Sequence, residues 1–501
     1  MCSTVLYIFL SSFFIYTQAE FKLDPGNTKV WGPGLIPHKI IMPARYFFIH
    51  AVDDQGNRFT ESPGDVFDIT WTGHSPIGQH CRIWLNKLDR NDGSFIIRYK
   101  LYHTCYDVQI MIQYRGQHVG KSPYVIPTVV YPEECNCPQK NFSLWFTQFE
   151  CKPSYKQMQN DLKLFPKIDF NEIRPKVLQK LNNPSGMSFC NYVIKDNKIY
   201  RKCYGQHVGF KVFMDDILLS LTRKVWLADN EFFINLGDWP LINKGMNLSL
   251  PMFSWCGSEH TLDIVLPTYD ITEATLENMG RVMLDMLSIQ KHAGLVHWKD
   301  KIPKVFWRGR DSRRERLQLI DISRKYPDLF NVSLTNFFFY PNEEKIYGPK
   351  SKHVSFFDYF QYKYQLNIDG TVAAYRFPYL LAGNSLVFKQ DSTYYEFFYK
   401  DLQPMVHYVP IYRNLSNLVE QIEWALQNDD LALQISLNGQ SYARDNLLPH
   451  DIFCYHALLF HEWSTRITSK VEILDEMELV PQTEQDKVYC ECEFNKFNDE
   501  L

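Results

Sequence analysis

Residues 361–389, QYKYQLNIDGTVAAYRFPYLLAGNSLVFK, constrain this chain more than any other stretch because their apolar period changes twice in one short run. Residues 364–368 alternate as a short strand, Asp369-Gly370 offers a tight turn, and residues 373–381 carry the spacing of a short helix closed by Gly383. Residues 385–389 then return to strand character. In a strand, turn, helix, strand unit the helix N-terminus presents unpaired backbone N–H groups and partial positive charge, a setting that suits a phosphate. Pro378 fits only if the helix begins near Tyr375, since a deeper proline removes a hydrogen bond and clashes. Arg376 then falls in the first turn, against the helix dipole, at a cost of roughly 0.3–1 kcal/mol unless an anion joins it.

The length, 501 residues, allows about three domains of ~150 residues each. With 45% hydrophobic and 22% charged residues the chain is globular, and a net charge of −4 shows no basic excess of the kind that polymeric nucleic acid selects, so no nucleic-acid partner is expected. An apolar run over residues 5–16, followed by the small residues Thr17 and Ala19, predicts a cleaved signal peptide over residues 1–19. No later run approaches the length of a membrane span. The last four residues, Asn498, Asp499, Glu500 and Leu501, match a KDEL-type retrieval signal except at the first position. Together these place the chain in the lumen of the endoplasmic reticulum, with the retrieval receptor as a partner. Of the twelve cysteines, the loss of Cys2 with the signal leaves an odd number, so at least one is free or pairs outside the chain. Cys135-Asn-Cys137 and Cys490-Glu-Cys492 are read as disulfide partners of open connectivity. Asn141, Asn247, Asn331 and Asn414 head Asn-x-Ser sequons, candidates for N-glycosylation.

Residues 24–130 alternate in short strands separated by Asp-Gly and Ser-Pro-Gly turns, which predicts a β-sandwich. Gly32-Pro33-Gly34-Leu35, Asp92-Gly93-Ser94-Phe95 and the string from Gly116 to Ser122-Pro123-Tyr124 occur in an order that resembles a filamin-type immunoglobulin-like repeat. That resemblance implies a docking or spacing module, with a plain structural sandwich as the alternative. A cysteine-bearing linker occupies residues 131–151. Short helices are expected over residues 161–181, interrupted by Pro166 and Pro175. Residues 191–200 read as one strand, 212–221 as a helix, 231–236 and 264–266 as strands, and 274–290 as a helix. Alternation of this kind predicts α/β domains with parallel sheets, an acceptor-side one over residues 152–300 and a nucleotide-side one over 301–468. Asn417-x-x-Glu420 caps a packing helix, and Cys454, in the returning C-terminal helix, is a candidate partner for the Cys135/Cys137 linker. The remainder, residues 469–501, is a polar tail ending in the retrieval signal.

Two further strings carry chemistry. Residues 231–236 form an apolar strand running into Asp238-Trp239-Pro240, which aims a carboxylate at the crevice outside the strand's carboxyl end. There Asp238 can take a proton from an acceptor hydroxyl, with Trp239 as one wall; an Asp that only caps the following turn is the competing reading. In Val305-Phe-Trp-Arg308-Gly-Arg310-Asp-Ser312-Arg-Arg-Glu315-Arg316, Ser312-x-x-Glu315 reads as a capping box that starts a helix. Several arginines then crowd a helix N-terminus, where cations are disfavoured unless a diphosphate meets their guanidinium forks. A solvated basic helix end paired to Asp311 and Glu315 is the alternative. Neither a Gly-x-Gly-x-x-Gly fingerprint nor a P-loop is present, and these loops lack an Asp-x-Asp metal pair, so metal-independent chemistry without a cofactor is expected.

Asn-Leu-Gly-Asp238-Trp-Pro, Phe306-Trp-Arg-Gly-Arg-Asp-Ser, Tyr362-Lys-Tyr, Gly370-Thr-Val-Ala-Ala-Tyr-Arg376-Phe and His407-Tyr-Val-Pro together resemble the CAP10-type protein O-glucosyltransferases, from about Cys151 to Trp463. The resemblance implies a multidomain chain: an immunoglobulin-like β-sandwich, then an α/β glycosyltransferase of two Rossmann-like domains (GT-B type). It implies transfer of glucose from UDP-glucose to serine in epidermal-growth-factor-like repeats, as in Notch receptors and fibrillins, with UDP-xylose as a second candidate donor. Matched residue by residue, Asp238 is the catalytic base, Arg316 a donor-binding arginine, and Thr371, Val372, Ala373, Ala374, Tyr375 and Arg376 the donor-contacting segment. Arg310 stands where a relative has serine, and it is counted among the expected donor contacts. The rival from another class is a catalytically inactive luminal binding protein or chaperone that holds clients with the sandwich.

Overall fold

The computed structural model describes residues 22–246, 250–277, 285–482, 490 and 492. The signal peptide, Asn247, the retrieval signal and most of the tail lie outside the described residues.

The chain opens with β1 (Lys29–Trp31), β2 (Arg45–His50), β3 (Phe67–His74), β4 (Ile83–Asp89), β5 (Ser94–Leu101), β6 (Tyr106–Tyr114), β7 (Gln117–His118) and β8 (Tyr124–Val125). They make a sandwich of two antiparallel sheets, β1-β2-β5-β4 against β3-β6-β7 with β8 also on β6. The period of two sends Phe47, Ile49, Phe95, Ile97 and Tyr99 inward against Phe67, Ile110 and Ile112. The opposite face is not solvated. Tyr46, Phe48, Leu88 and Ile96 are buried in the core of the α/β region, and each such side chain contributes roughly 1.5–3 kcal/mol. The expected half-buried strands therefore hold only for the outer sheet, because the chain itself covers the inner sheet's second face.

Helices α1 (Phe142–Gln148), α2 (Lys156–Leu162) and α3 (Phe170–Leu181) follow. Asn141 and Asp169 cap the first and third through side-chain oxygens that accept from Leu144 N and Asn171 N. Contrary to expectation α3 continues through Pro175. The bond it forgoes would go to the carbonyl of Asn171, an exposed residue that water can serve.

Next come β9 (Phe189–Lys195), β10 (Lys198–Tyr204), α4 (Lys211–Lys224), β11 (Asn230–Asn235), β12 (Phe253–Ser254), β13 (Gly257–Ser258), β14 (Ile264–Val265), α5 (Tyr269–Leu276) and α6 (Met286–Ala293). The single strand expected over 191–200 is a hairpin, turned at Asp196 and Asn197 with φ of 50° and 58°, values that Asp and Asn tolerate in a two-residue turn. The helix expected over 274–290 is two elements, α5 and α6, with residues between them outside the described set. The chain continues with β15 (Ile302–Arg310), α7 (Arg314–Lys325), β16 (Phe330–Asn336), α8 (Glu344–Tyr347), β17 (Tyr362–Asn367), α9 (Phe377–Ala382), β18 (Leu386–Gln390), β19 (Tyr394–Tyr395) and β20 (Val409–Ile411). It ends with α10 (Leu418–Gln427), α11 (Asp429–Asn446), α12 (Pro449–Ser464) and β21 (Glu478–Val480).

Two sheets carry this region. The first, β14-β12-β11-β9-β10-β21, is parallel only across β14, β12 and β11; the hairpin and β21 run antiparallel, which corrects the expected parallel sheet. The second, β16-β15-β17-β18-β20, is parallel throughout. Its order reverses at β15, so a crevice opens outside the carboxyl ends of β15 and β17. The two halves touch through β13 and β19, where a Cβ on Gly257 would lie 2.4 Å from the Tyr395 ring. Helix α12 returns to pack on β11 and α5, with Trp463 Nε1 donating to Glu231 O at 2.8 Å.

Disulfides join Cys81–Cys105, Cys135–Cys490, Cys137–Cys492, Cys151–Cys454 and Cys190–Cys203, leaving Cys256 free and buried. The two close pairs are thus bonded to each other, and among the described cysteines Cys256 is the one left unpaired. Cys454 pairs with Cys151 rather than with the 135/137 linker. That bridge spans 303 residues of chain, a closure worth about 6 kcal/mol in the chain-entropy picture.

Candidate functional site

A cleft of about 450 Å³ lies between the two sheets, lined by Asp238, Tyr269 and Glu273 on one side and by Arg308, Arg310, Arg316 and residues 370–376 on the other. Asp238 stands in the loop after β11, which its own neighbours pin. Asn235 Nδ2 donates to Trp239 O at 2.6 Å, Gly237 N donates to Asn235 Oδ1 at 2.9 Å, and Asp263 accepts from Leu241 N at 2.8 Å and Ile242 N at 2.9 Å. The Asp238 carboxylate is half-buried and accepts from Tyr269 Oη at 3.4 Å. Burial pushes its carboxyl above the ordinary value, against the Tyr269 hydroxyl and the charge of Arg310, which favour the ionised form. A carboxylate whose affinity for a proton is raised suits abstraction from a hydroxyl. Its backbone carbonyl accepts from Cys256 Sγ at 3.4 Å and Tyr375 Oη at 3.5 Å, so a residue of the second half touches the loop that carries the carboxylate. Trp239 is exposed beside Asp238 and does not line the cleft.

The arginines divide into two kinds. Arg316 is buried, and its guanidinium donates to Asp369 O at 2.8 Å, Ile368 O at 2.9 Å, Arg310 O at 2.9 Å and Ser312 Oγ at 3.4 Å. Four of five N–H groups are therefore spent on the protein. Burial, then the charge of Arg376, pushes it down to about 9. Arg313 likewise clamps Gly370 O and Thr371 O. These two tie the end of β15 to the turn after β17. The guanidinium of Arg310, exposed in the cleft, has no hydrogen-bond partner among the described residues, and that of Arg376 gives one bond, from Nη1 to Arg308 O at 2.6 Å. Their remaining donors can meet an anion.

The helix expected from Ala373 starts instead at Phe377, with Arg376 as its N-cap and Pro378 in its first turn. Thr371, Val372, Ala373, Ala374, Tyr375 and Arg376 are consequently loop, and their backbone N–H groups have no hydrogen-bond partner among the described residues. A run of unpaired amides beside two guanidinium groups with donors to spare has the chemistry to hold an anion. The capping box expected at Ser312 does not form: α7 begins at Arg314 with Arg313 as N-cap, Ser312 Oγ accepts from Arg316, and Glu315 pairs with Arg413 at 3.6 Å. Arginine ties pull the chain extended through Arg313 and delay the helix. Asn417 also caps nothing; its Oδ1 accepts from Tyr412 N.

The structure thus gathers Asp238, Arg310, Arg316 and residues 371–376 around one cleft and leaves Trp239 at its margin. Sequence reasoning missed Tyr269, Tyr375 as a partner of the Asp238 loop, and Arg313. Only Arg313 carried a signal, its place in the arginine string. Among the sequons, Asn141 and Asn414 are exposed, whereas Asn331 accepts from Arg308 Nη2 at 2.7 Å and donates to Tyr362 Oη at 2.6 Å.

Comparison with known proteins gives the family. The model for "Glycosyl transferase family 90" matches residues 147–496, and that for "Filamin/ABP280 repeat" matches residues 22–125. Protein O-glucosyltransferase 2 of Danio rerio is 50% identical over 95% of this chain and 94% of its own length. Protein O-glucosyltransferase 3 of Homo sapiens is 45% identical over 95% and 94%. Protein O-glucosyltransferase 1 of Homo sapiens is 31% identical over 56% of this chain and 73% of its own. The chain therefore belongs to glycosyl transferase family 90, among the CAP10-type protein O-glucosyltransferases, with a filamin repeat in front.

Proposed function

We propose that this protein transfers glucose from UDP-glucose, with inversion, to serine in epidermal-growth-factor-like repeats. The single observation that carries the reading is a half-buried carboxylate facing two guanidinium groups and a run of unpaired amides across one cleft. Asp238 takes the serine proton as the hydroxyl oxygen forms its bond to the anomeric carbon. The bond from that carbon to the β-phosphate oxygen breaks on the opposite face, and its electron pair leaves with UDP. Arg310, Arg376 and the amides of residues 371–376 neutralise the departing charge, and no metal ion enters the scheme. Arg316 and Arg313 hold that receptor in shape. The two-sheet body acts as a GT-B pair of Rossmann-like domains, the acceptor entering from the side of β11. UDP-xylose, which lacks only the hydroxymethyl group, is the competing donor, a difference of roughly 1–3 kcal/mol in a shaped pocket. Work in the endoplasmic-reticulum lumen, reached by signal peptide and kept by the retrieval receptor, belongs to the same proposal; five disulfides suit an oxidising compartment. No described helix is long and apolar enough to cross a membrane.

The test is Asp238→Asn, which keeps shape and removes basicity. Glucose transfer to a purified, folded repeat should fall by about 10²–10⁴-fold while UDP affinity holds. Transfer at the parental rate would remove Asp238 from the mechanism.

A further inference from the structure

The sandwich reaches an element of the cleft, α5, through charged side chains of β5. Along β5 the period of two puts Phe95, Ile97 and Tyr99 in the sandwich core and Ile96, Arg98 and Lys100 on the face turned to the α/β body. Arg98 Nη1 lies 3.7 Å from Glu277 Oε1 and 3.2 Å from Asp285 Oδ1, and Lys100 Nζ pairs with Glu277 Oε2. The side chains of Arg98, Glu277 and Asp285 are largely buried. Arg98 also borders the small gap beneath α5, beside Ile271, Ala274 and Thr275.

Glu277 is the C-cap of α5, and its local conformation needs outside support. It is a non-glycine residue in the left-handed region, φ 51° and ψ 35°, and it puts a carboxylate where the helix dipole is already negative. The sandwich delivers two cations to that spot. Asp285, held by the same Arg98, accepts from Ser288 N at 2.7 Å and so starts α6. One arginine of the sandwich thereby fixes the end of one helix and the beginning of the next. The other end of α5 is the functional one: Tyr269 donates to Asp238, and Asp270 and Glu273 line the cleft.

We infer that Arg98 and Lys100 are positioning residues for the transfer site, so that the filamin-type sandwich supports catalysis by anchoring α5 rather than serving only as a separate binding module. This rests on the cleft being the site of glucose transfer. Helices α4 and α12 flank α5, but the described residues that pair with the Glu277 carboxylate are Arg98 and Lys100.

Amide hydrogen exchange of the full chain reads α5 without any turnover. In Arg98→Met/Lys100→Met, protection of α5 should fall by roughly tenfold while the β15–β20 sheet keeps its own, and Arg98→Lys should restore most of it. Unchanged α5 protection overturns the inference whether or not the parental chain transfers glucose. Turnover with UDP-glucose and a folded epidermal-growth-factor-like repeat is the second readout. The double variant should lose about tenfold in kcat with UDP affinity kept to about twofold, since a small misplacement of the reacting groups costs rate before it costs donor binding. A loosened α5 with parental kcat also overturns it. A parental chain that binds UDP yet transfers no glucose counts against the proposed function alone. If the double variant does not fold, Glu277→Gln is judged by the same measurements.

Discussion

Arg316→Lys separates a brace from a phosphate contact. Both side chains are cationic, so a residue that acts as a point charge toward a diphosphate would tolerate the change. The guanidinium here does something lysine cannot do: it spans three backbone carbonyls, of Ile368, Asp369 and Arg310, that belong to two loops. An ammonium on a flexible stem can serve one of these loops at a time, which leaves one or two buried carbonyls without a donor. Each costs about 1–3 kcal/mol, and at about 2 kcal/mol apiece, the middle of that range, the variant should lose roughly 2–4 kcal/mol. For a region of this size that is roughly 4–16 °C in the thermal midpoint, at about 2–4 °C per kcal/mol. Differential scanning calorimetry of the purified chain measures it, and UDP titration of the same sample measures the receptor. The expected result is a lower midpoint together with weaker UDP binding, because residues 371–376 lose the frame that Arg316 and Arg313 give them. An unchanged midpoint with weakened UDP binding would refute the brace and return Arg316 to direct phosphate contact.

The pH dependence of kcat/KM should show an acidic limb above the ordinary carboxylate range, since Asp238 works ionised and its proton affinity is raised. Tyr269→Phe removes a hydrogen bond that favours the ionised form, so the limb should move to higher pH; movement downward would contradict the assignment. Glu396 is buried and burial pushes its carboxyl up to about 8. A carboxyl raised above its unfolded value contributes stability below about 4.5, and this is lost as pH rises toward about 8. Glu396→Gln should therefore gain in thermal midpoint over the parental chain as pH is taken from 5 to 8, and a gap that shrinks over that range would sink the idea. Peptide mass spectrometry of folded protein from a secretory host should find Asn331 bare, because both ends of its amide are held by Arg308 and Tyr362. A folded chain glycosylated there would show that these bonds are dispensable.

Much of the cleft could be read from the sequence because its parts are local strings at strand ends. Alternation placed β11, β15 and β17, and whatever follows the carboxyl end of a parallel strand faces the crevice, so Asp238, the arginine string from Arg308 to Arg316 and Arg376 were legible without any knowledge of partners, while residues 371–375 came from the family resemblance. Tertiary structure decided what each charge does. Arg316 and Arg313 look alike in sequence with Arg310, yet the first two meet carbonyls from a turn more than fifty residues away and the third meets none. Those same ties override the local capping signal at Ser312 and start α7 at Arg314. The second face of the sandwich, the hairpin partner of β11 and the bond from Cys151 to Cys454 were likewise invisible, since each depends on which surfaces meet after collapse. Period and punctuation are properties of neighbours along the chain, whereas the partner of a guanidinium or a thiol is set by the chain's long-range packing.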